Sequence, residues 1–229
     1  MGARAIQCGS EMKRTGGVCG AVILTALLMV AGPVSAASLS LVVLKKDGRP
    51  LAGAVVTAEP ESGKFPQVPP LKAVVDQIAL SFVPDVIVVP VGSAVSFPNS
   101  DQVSHQVYSF SPARRFQLPL YRGKPHAPVV FDQPGIVTLG CNIHDNMVAY
   151  IVVTPAPFFG RTDERGVWVI PNVPEGAYRI RLWHPLLKDP TAMLERPVRI
   201  AGGSNDVALK IDEVSRPAPL KGHPHSWDY

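Results

Sequence analysis

Three side chains that bind soft metal ions stand at a spacing of three within one short segment. Cys141, His144 and Met147 belong to the run GCNIHDNM at 140–147, between two apolar segments. A thiolate, an imidazole and a thioether together suit copper that cycles between Cu(I) and Cu(II), because soft sulfur stabilises Cu(I) while nitrogen suits both states. The segment therefore predicts part of a redox-active copper site.

A second imidazole would complete such a site, and His105 is the candidate. It lies 36 residues before Cys141 and follows the segment FPNSD at 97–101. Adjoining strands of one sandwich can bring it beside the later loop. We therefore expect one copper ion on His105, Cys141, His144 and Met147.

Other interpretations of these residues are open at the level of sequence. A free cysteine often packs as a small hydrophobic residue, and Met147 can be a core residue at the edge of a strand. Cys141 as a nucleophile with His144 as its base would indicate an enzyme, although no glycine motif for an oxyanion hole is present. Zinc is disfavoured because its usual ligands do not include methionine.

The N-terminal segment 1–36 is typical of a cleaved secretory signal peptide. Lys13 and Arg14 precede an uncharged apolar run at 21–31, and small residues at 34–36 resemble a cleavage site. The apolar run is shorter than the roughly 20 residues that cross a bilayer as a helix. The sequence thus predicts a periplasmic protein without a stable membrane anchor.

Export would leave Cys141 as the one cysteine, since Cys8 and Cys19 are removed with the signal. An unpaired thiol in an oxidising compartment needs protection, and metal ligation provides it. Loss of the signal also lowers the net charge from +4 to about +2. This small charge argues against nucleic acid as a partner.

The rest of the chain has the pattern of an all-β protein. Its 24 prolines and 19 glycines separate short runs rich in Val, Ile, Phe and Tyr. An apolar period of 3.6 residues never lasts long enough to predict a helix. The predicted strands are 40–44, 54–58, 77–82, 86–91, 94–98, 106–110, 136–140, 149–153, 167–170, 178–183 and 207–211.

Residues 75–154 resemble a cupredoxin, the family of plastocyanin, pseudoazurin and amicyanin. The Cys-x2-His-x2-Met spacing is that of amicyanin, and the strand and loop before the first histidine also fit. The resemblance implies a Greek-key sandwich with type 1 copper on His105, Cys141, His144 and Met147. It also implies electron transfer, in which no substrate is transformed.

Two positions depart from the family pattern. Gln106 stands where asparagine commonly follows the first histidine, and Asn142 stands where serine or threonine commonly follows the cysteine. In the family this pair ties the two ligand loops together. Since groups around the ligands tune their orientation and the metal's potential, the sequence leaves the potential of this site open.

The remaining segments resemble a second, smaller β-sandwich. DGRPLAGA begins at Asp47 within the range 38–60, and TDERGVWVIPNVPEGAYRIRLWHP begins at Thr162 within the range 158–212. Both resemble parts of a carboxypeptidase regulatory-like, or transthyretin-like, domain. We therefore expect a cupredoxin domain at 71–156 to be inserted into this sandwich, a layout that resembles bacterial methylamine utilization proteins.

The leading functional hypothesis is a periplasmic one-electron carrier, and a copper carrier or sensor is the alternative. The expected partner is a periplasmic redox protein such as a c-type cytochrome or a dehydrogenase. Basic side chains between the ligands could dock an acidic partner, although an ordinary solvated patch has the same composition. They are Arg114, Arg115, Arg122 and Lys124.

The other histidines lack a comparable context. His126 and His184 are expected to be structural. His223 and His225 lie in the proline-rich tail at 213–229, which we expect to be flexible.

Overall fold

The computed structural model describes residues 37–63, 65, 67–123 and 126–211. The described residues form β-strands and no α-helix, which confirms the predicted all-β class. Within these ranges no helix is long and apolar enough to cross a membrane. The predicted signal peptide and the predicted flexible tail lie outside the described residues.

The strands, in chain order, are β1 (Ala37–Lys45), β2 (Val55–Pro60), β3 (Lys72–Val74), β4 (Asp76–Ile78), β5 (Ser81–Val83), β6 (Val86–Pro90), β7 (Ser93–Ser96), β8 (Tyr108–Ser109), β9 (Phe116–Gln117), β10 (Val129–Phe131), β11 (Gly135–Gly140), β12 (Val148–Thr154), β13 (Phe158–Arg161), β14 (Val167–Val173), β15 (Gly176–Trp183), β16 (Leu194–Ile200) and β17 (Ser204–Ile211).

We call the sandwich formed by β1, β2 and β13 to β17 the outer sandwich. One of its sheets has the order β14-β1-β17, and the other has the order β13-β2-β15-β16. Alternate residues of β1, namely Leu39, Leu41 and Val43, are fully buried. This period of two is what a strand with one buried face requires.

The strands β3 to β12 form the inserted sandwich. Its larger sheet has the order β6-β12-β11-β8-β9, a second sheet has the order β10-β7-β3, and β4 pairs with β5. Its core includes Phe97, Phe131, Leu139 and Ile151, and it continues to Cys141. The core of the inserted sandwich therefore extends directly to the thiol.

The chain leaves the outer sandwich after β2 and returns to it at β13. The returning strand pairs with β2 itself, with Phe158 opposite Ala58. The hydrogen-bonded sheets thus join 37–60 with 158–211, and the intervening strands pair among themselves. The domain boundaries at 71–156 remain a prediction of the sequence.

The two sandwiches share buried side chains. Val86 and Val152, from strands of the inserted sandwich, belong to the core cluster of the outer one. The ring of Tyr150 lies 5.0 Å from that of Trp183, and Arg161 Nη1 donates to the carbonyl of Val86 at 2.9 Å. The outer sandwich therefore packs against the sheet of β6, β12 and β11, and the loop with Cys141, His144 and Met147 joins two strands of that sheet.

One predicted strand is wrong. Residues 77–82 form two short antiparallel strands, β4 and β5, joined by a turn at Ala79 and Leu80. The apolar composition of this segment does not reveal the turn, because both central residues adopt positive φ without being glycine or asparagine. The short or polar strands β3, β9, β10, β13 and β16 were also absent from the prediction.

Candidate metal centre

The predicted ligands come from two loops at one end of the inserted sandwich. Cys141 directly follows β11, and His144 and Met147 lie between that strand and β12. His105 belongs to a separate loop, where its N–H and carbonyl pair with the carbonyl and N–H of Tyr121, each at 3.0 Å. Backbone pairing thus fixes the position of the first histidine.

Three of the predicted ligands converge on one point. The Nδ1 atoms of His105 and His144 lie 3.1 Å apart. Cys141 Sγ lies 3.8 Å from each of them. The two imidazoles and the thiol therefore form a triangle of donor atoms.

This triangle fits a single metal ion. Bonds from nitrogen or thiolate sulfur to a first-row metal are about 2.0–2.3 Å long, as for zinc. Two such bonds span up to about 4 Å, and all three separations lie within this limit. Two nitrogens and a soft sulfur also match the donor chemistry that copper takes in both oxidation states.

Met147 belongs to the same buried region as Cys141. Its side chain is 1% exposed, and its N–H donates to the carbonyl of His144 at 3.0 Å. The hydrogen bond closes the loop and keeps the methionine beside the histidine and the thiol. The structure thus places all four predicted residues near one another.

The four side chains differ in their access to solvent. His105 is 0% exposed, and Cys141 is 3% exposed. Met147 is similarly buried, whereas His144 is half-buried. Among the four, therefore, His144 alone reaches the surface, and the thiol is shielded from water.

Asp101 is a site residue that the sequence analysis missed. Its Oδ2 atom lies 3.0 Å from Nε2 of His105. Hydrogen bonds from the main chain of Leu80, from His105 and from the main chain of Gln102 lower the pKa of Asp101 to about 2. It is therefore a carboxylate at neutral pH. Its spacing of four residues from His105 is the weak signal of this contact in the sequence.

Hydrogen bonds from buried polar side chains stabilise the loop of His105. Asn99 Nδ2 donates to the carbonyls of Val103 and Tyr121, at 3.0 and 2.9 Å. The hydroxyl of Tyr121 donates to the carbonyl of Phe97 and accepts from Gln77 Nε2. Burial raises the pKa of Tyr121 to about 12, so this hydroxyl stays protonated and can donate.

Two positions that depart from the cupredoxin sequence pattern directly follow two of the predicted ligands, His105 and Cys141. Gln106 and Asn142 are both half-buried. Asn99 and Asp101 anchor the first ligand loop through the bonds described above, together with the backbone pairing of His105 and Tyr121. The loop of His105 is thus anchored by residues that precede the histidine and by the segment at Tyr121.

The other histidines lie elsewhere. The ring of His126 packs edge-on against Tyr121 at 4.8 Å. His184 belongs to the outer sandwich, where its Nδ1 accepts the N–H of Leu186 at 3.1 Å. His223 and His225 lie outside the described residues.

Two of the basic side chains between the ligand loops, Arg114 and Arg122, have polar partners. Arg114 lies 3.8 Å from a carboxylate oxygen of Asp132, and Arg122 donates to Gln102 Oε1 at 3.0 Å. Lys124 lies outside the described residues.

Solved structures of other proteins are similar to part of this chain. No protein-family model and no curated protein matches the chain. Similar solved structures include a purple cupredoxin from Nitrosopumilus maritimus, with 23% identity and a TM-score of 0.33 over 36% of this chain and 99% of that chain. A copper-containing nitrite reductase from Thermus scotoductus has 26% identity and a TM-score of 0.35 over 42% of this chain and 25% of the reductase. An amicyanin structure has 21% identity and a TM-score of 0.33 over 35% of this chain and 80% of that chain.

Proposed function

We propose that this protein is a type 1 copper protein that transfers single electrons. The observation that carries the proposal is the triangle formed by Nδ1 of His105, Nδ1 of His144 and Sγ of Cys141, with separations of 3.1, 3.8 and 3.8 Å. Met147 would complete the set as a weak thioether donor. The ligands are held on a rigid β-scaffold, which suits one ion in a fixed environment.

The metal would supply a one-electron couple, and the chain supplies its environment. Burial of Cys141 keeps oxidants and water from the thiolate, which protects it in an oxidising compartment. Nε2 of His105 lies 3.0 Å from a carboxylate oxygen of Asp101, and Asn99 donates to the carbonyl of Tyr121 in the segment paired with His105. Donors fixed in this way reorganise little when the charge of the site changes.

The half-buried position of His144 favours electron exchange at the surface of its loop. The neighbouring Ile143 is exposed, so a partner that covers this loop would bury apolar surface next to a ligand. The fitting partner is a periplasmic redox protein such as a c-type cytochrome or a dehydrogenase. Arg115 and Arg122, both on the segment between the two ligand loops, would favour an acidic partner.

An absorption spectrum of the protein loaded with Cu(II) tests the proposal. We expect an intense visible band from thiolate-to-copper charge transfer, and its loss in Cys141→Ser. Ser109→Ala, which changes a buried hydroxyl outside the triangle, should retain the band. An equally intense band in the Cys141→Ser protein would exclude Cys141 as a ligand.

Two further measurements separate this function from its competitors. An electron-transfer site should retain copper through repeated reduction and oxidation, whereas a copper carrier should release it quickly to a competing chelator. A nucleophilic Cys141 would react with a thiol alkylator even in the copper-loaded protein. We expect retention of the metal and protection of the thiol.

A further inference from the structure

The tip of the β4–β5 hairpin has an uncommon backbone conformation. Ala79 and Leu80 have φ angles of 50° and 58°, and they lie between the paired residues Ile78 and Ser81. Two-residue turns with positive φ at both positions favour asparagine and glycine, because a β-carbon destabilises the left-handed conformation. An interaction outside the turn must therefore stabilise it.

Leu80 makes such an interaction with the loop of the first histidine ligand. Its main-chain N–H donates to Oδ2 of Asp101 at 2.8 Å. The same oxygen lies 3.0 Å from Nε2 of His105. One carboxylate oxygen thus joins the tip of the hairpin to the imidazole.

The carboxylate is held on both sides. Its other oxygen accepts the N–H of Gln102 at 2.7 Å, and the N–H of Asp101 donates to Oδ1 of Asn99 at 3.0 Å. Leu80 is 48% exposed, whereas His105 is 0% exposed. The hydrogen bonds therefore run from an exposed turn to a fully buried ligand.

We propose that Asp101 is a positioning residue of the metal centre and that the main-chain N–H of Leu80 holds it in place. With Nε2 of His105 donating to the carboxylate, Nδ1 keeps its lone pair free and faces Cys141 and His144. The effect of Asp101 on copper binding rests on the proposed function. The hydrogen bonds of Asp101 are a property of the metal-free chain and can be tested without copper.

Asp76 provides a matched control. Its Oδ2 accepts the hydroxyl of Ser100 at 2.8 Å, and its Oδ1 accepts the N–H of Ser100 at 3.2 Å. Asp76→Asn therefore removes a carboxylate charge and loosens the same loop next to Asp101. It leaves the contact between Asp101 and His105 in place.

Hydrogen exchange followed by NMR on metal-free protein tests the bond between the hairpin and the loop. The Leu80 amide should exchange slowly in the wild type and about tenfold or more faster in Asp101→Ala, because its acceptor is lost. Asp76→Asn should retain the wild-type rate at Leu80. Equally fast exchange at Leu80 in the wild type and in Asp101→Ala would overturn the proposal.

Cu(II) affinity tests the consequence at the metal. Asp101→Ala should bind Cu(II) about 10–100-fold more weakly, the usual effect of removing a hydrogen-bond partner from a ligating histidine. Asp76→Asn should stay within about threefold of the wild type. Asp101→Asn, which keeps the side-chain shape, is measured in parallel in case the alanine variant does not fold, and it should weaken binding in the same direction. Equal losses in the Asp76 and Asp101 variants would overturn the proposal.

The double variant Ala79→Asn, Leu80→Gly tests the hairpin itself. This pair suits the turn and keeps the N–H at position 80, so Cu(II) affinity should again stay within about threefold. A loss as large as that of Asp101→Ala would assign the effect to the Leu80 side chain and contradict the proposed role of its N–H. If wild-type protein shows no thiolate-to-copper band, the proposed function fails, while the exchange data still decide whether the hairpin holds Asp101.

Discussion

The ring of Tyr108 fills the space that a β-carbon at position 140 would need: an ideal Cβ on Gly140 would lie 2.7 Å from the phenol ring. The two residues are direct partners between β8 and β11, and Cys141 is the next residue. Burial raises the pKa of Tyr108, with smaller contributions from Cys141 and Asp145. A neutral phenol thus packs over the strand end that positions the thiol.

Gly140→Ala should therefore disturb the metal centre through packing alone. The added methyl group forces the Tyr108 ring or the strand end to move, and overpacking of this kind costs about 1–3 kcal/mol. Urea denaturation should show this loss of stability, and the visible band of the copper-loaded protein should shift. Adding Tyr108→Ala removes the clash and should restore the band position. A Gly140→Ala protein with the wild-type midpoint and spectrum would contradict this account.

The shared core predicts that both sandwiches unfold together. Val152 packs into the outer core, while its neighbours Ile151 and Val153 pack into the core of the inserted sandwich. Val152→Ala should cost about 2 kcal/mol, from two lost methyl groups and the cavity they leave. In a Trp227→Phe background, which removes the third tryptophan from outside the described residues, fluorescence reports Trp168 and Trp183 of the outer sandwich. This fluorescence and the copper band should give coincident midpoints that shift by the same amount. Two separate transitions, with only the fluorescence shifted, would show that the sandwiches are independent.

Much of the group of candidate ligands could be predicted from sequence because its grouping depends on local spacing. Cys141, His144 and Met147 lie in one short loop, and the chemistry of their donors restricts the metal. His105 was predicted as the second imidazole, and the structure places its Nδ1 atom 3.1 Å from that of His144. Strands such as β1, β11 and β12 were predicted because alternating or continuous apolar runs mark buried strands.

The parts that were missed depend on contacts between distant segments. Asp101 matters because it meets both His105 and the turn at Leu80, and that turn was predicted as continuous strand. Its backbone conformation contradicts the local preferences of alanine and leucine, so composition could not reveal it. In the sequence, Val152 is one of several consecutive apolar residues in a buried strand. Its contact with the core of the outer sandwich, and not with that of the inserted sandwich, could not be predicted from this pattern.

The lowered pKa of His184, a residue of the outer sandwich, predicts that the stability of the protein depends on pH. Burial lowers its pKa below the ordinary value of 6.5. The unfolded chain therefore binds a proton more readily than the folded one, and this residue makes stability fall as the pH drops below about 6.5. Above that pH it has no effect of this kind.

His184→Asn should reduce this acid sensitivity. The asparagine oxygen can accept the N–H of Leu186, as Nδ1 of His184 does, and it does not titrate. Urea denaturation of metal-free protein at about pH 7.5 and about pH 5 brackets the ordinary histidine pKa. The loss of free energy of unfolding between the two should be smaller in the variant. The same loss in both proteins would show that His184 does not contribute to it.

Met147 distinguishes a redox centre from a generic copper-binding loop. Its side chain is buried beside Cys141, which fits both a weak donor and a simple packing residue. A thioether affects potential more than affinity, and it favours Cu(I) relative to a harder oxygen donor. Glutamine supplies such an oxygen, whereas leucine keeps the apolar bulk and removes the donor.

Met147→Gln should accordingly retain the visible band and lower the reduction potential, and Met147→Leu should retain copper and raise the potential. The leucine variant also serves as the packing control, because Leu and Met exchange usually costs less than about 1.5 kcal/mol of stability. If Met147 only packs, the glutamine variant should lose stability while the leucine variant keeps the wild-type potential. Voltammetry and thermal melts of the two variants, measured side by side, separate these outcomes. Potentials equal to that of the wild type in both variants would remove Met147 from the metal centre and leave His105, Cys141 and His144 as its protein ligands.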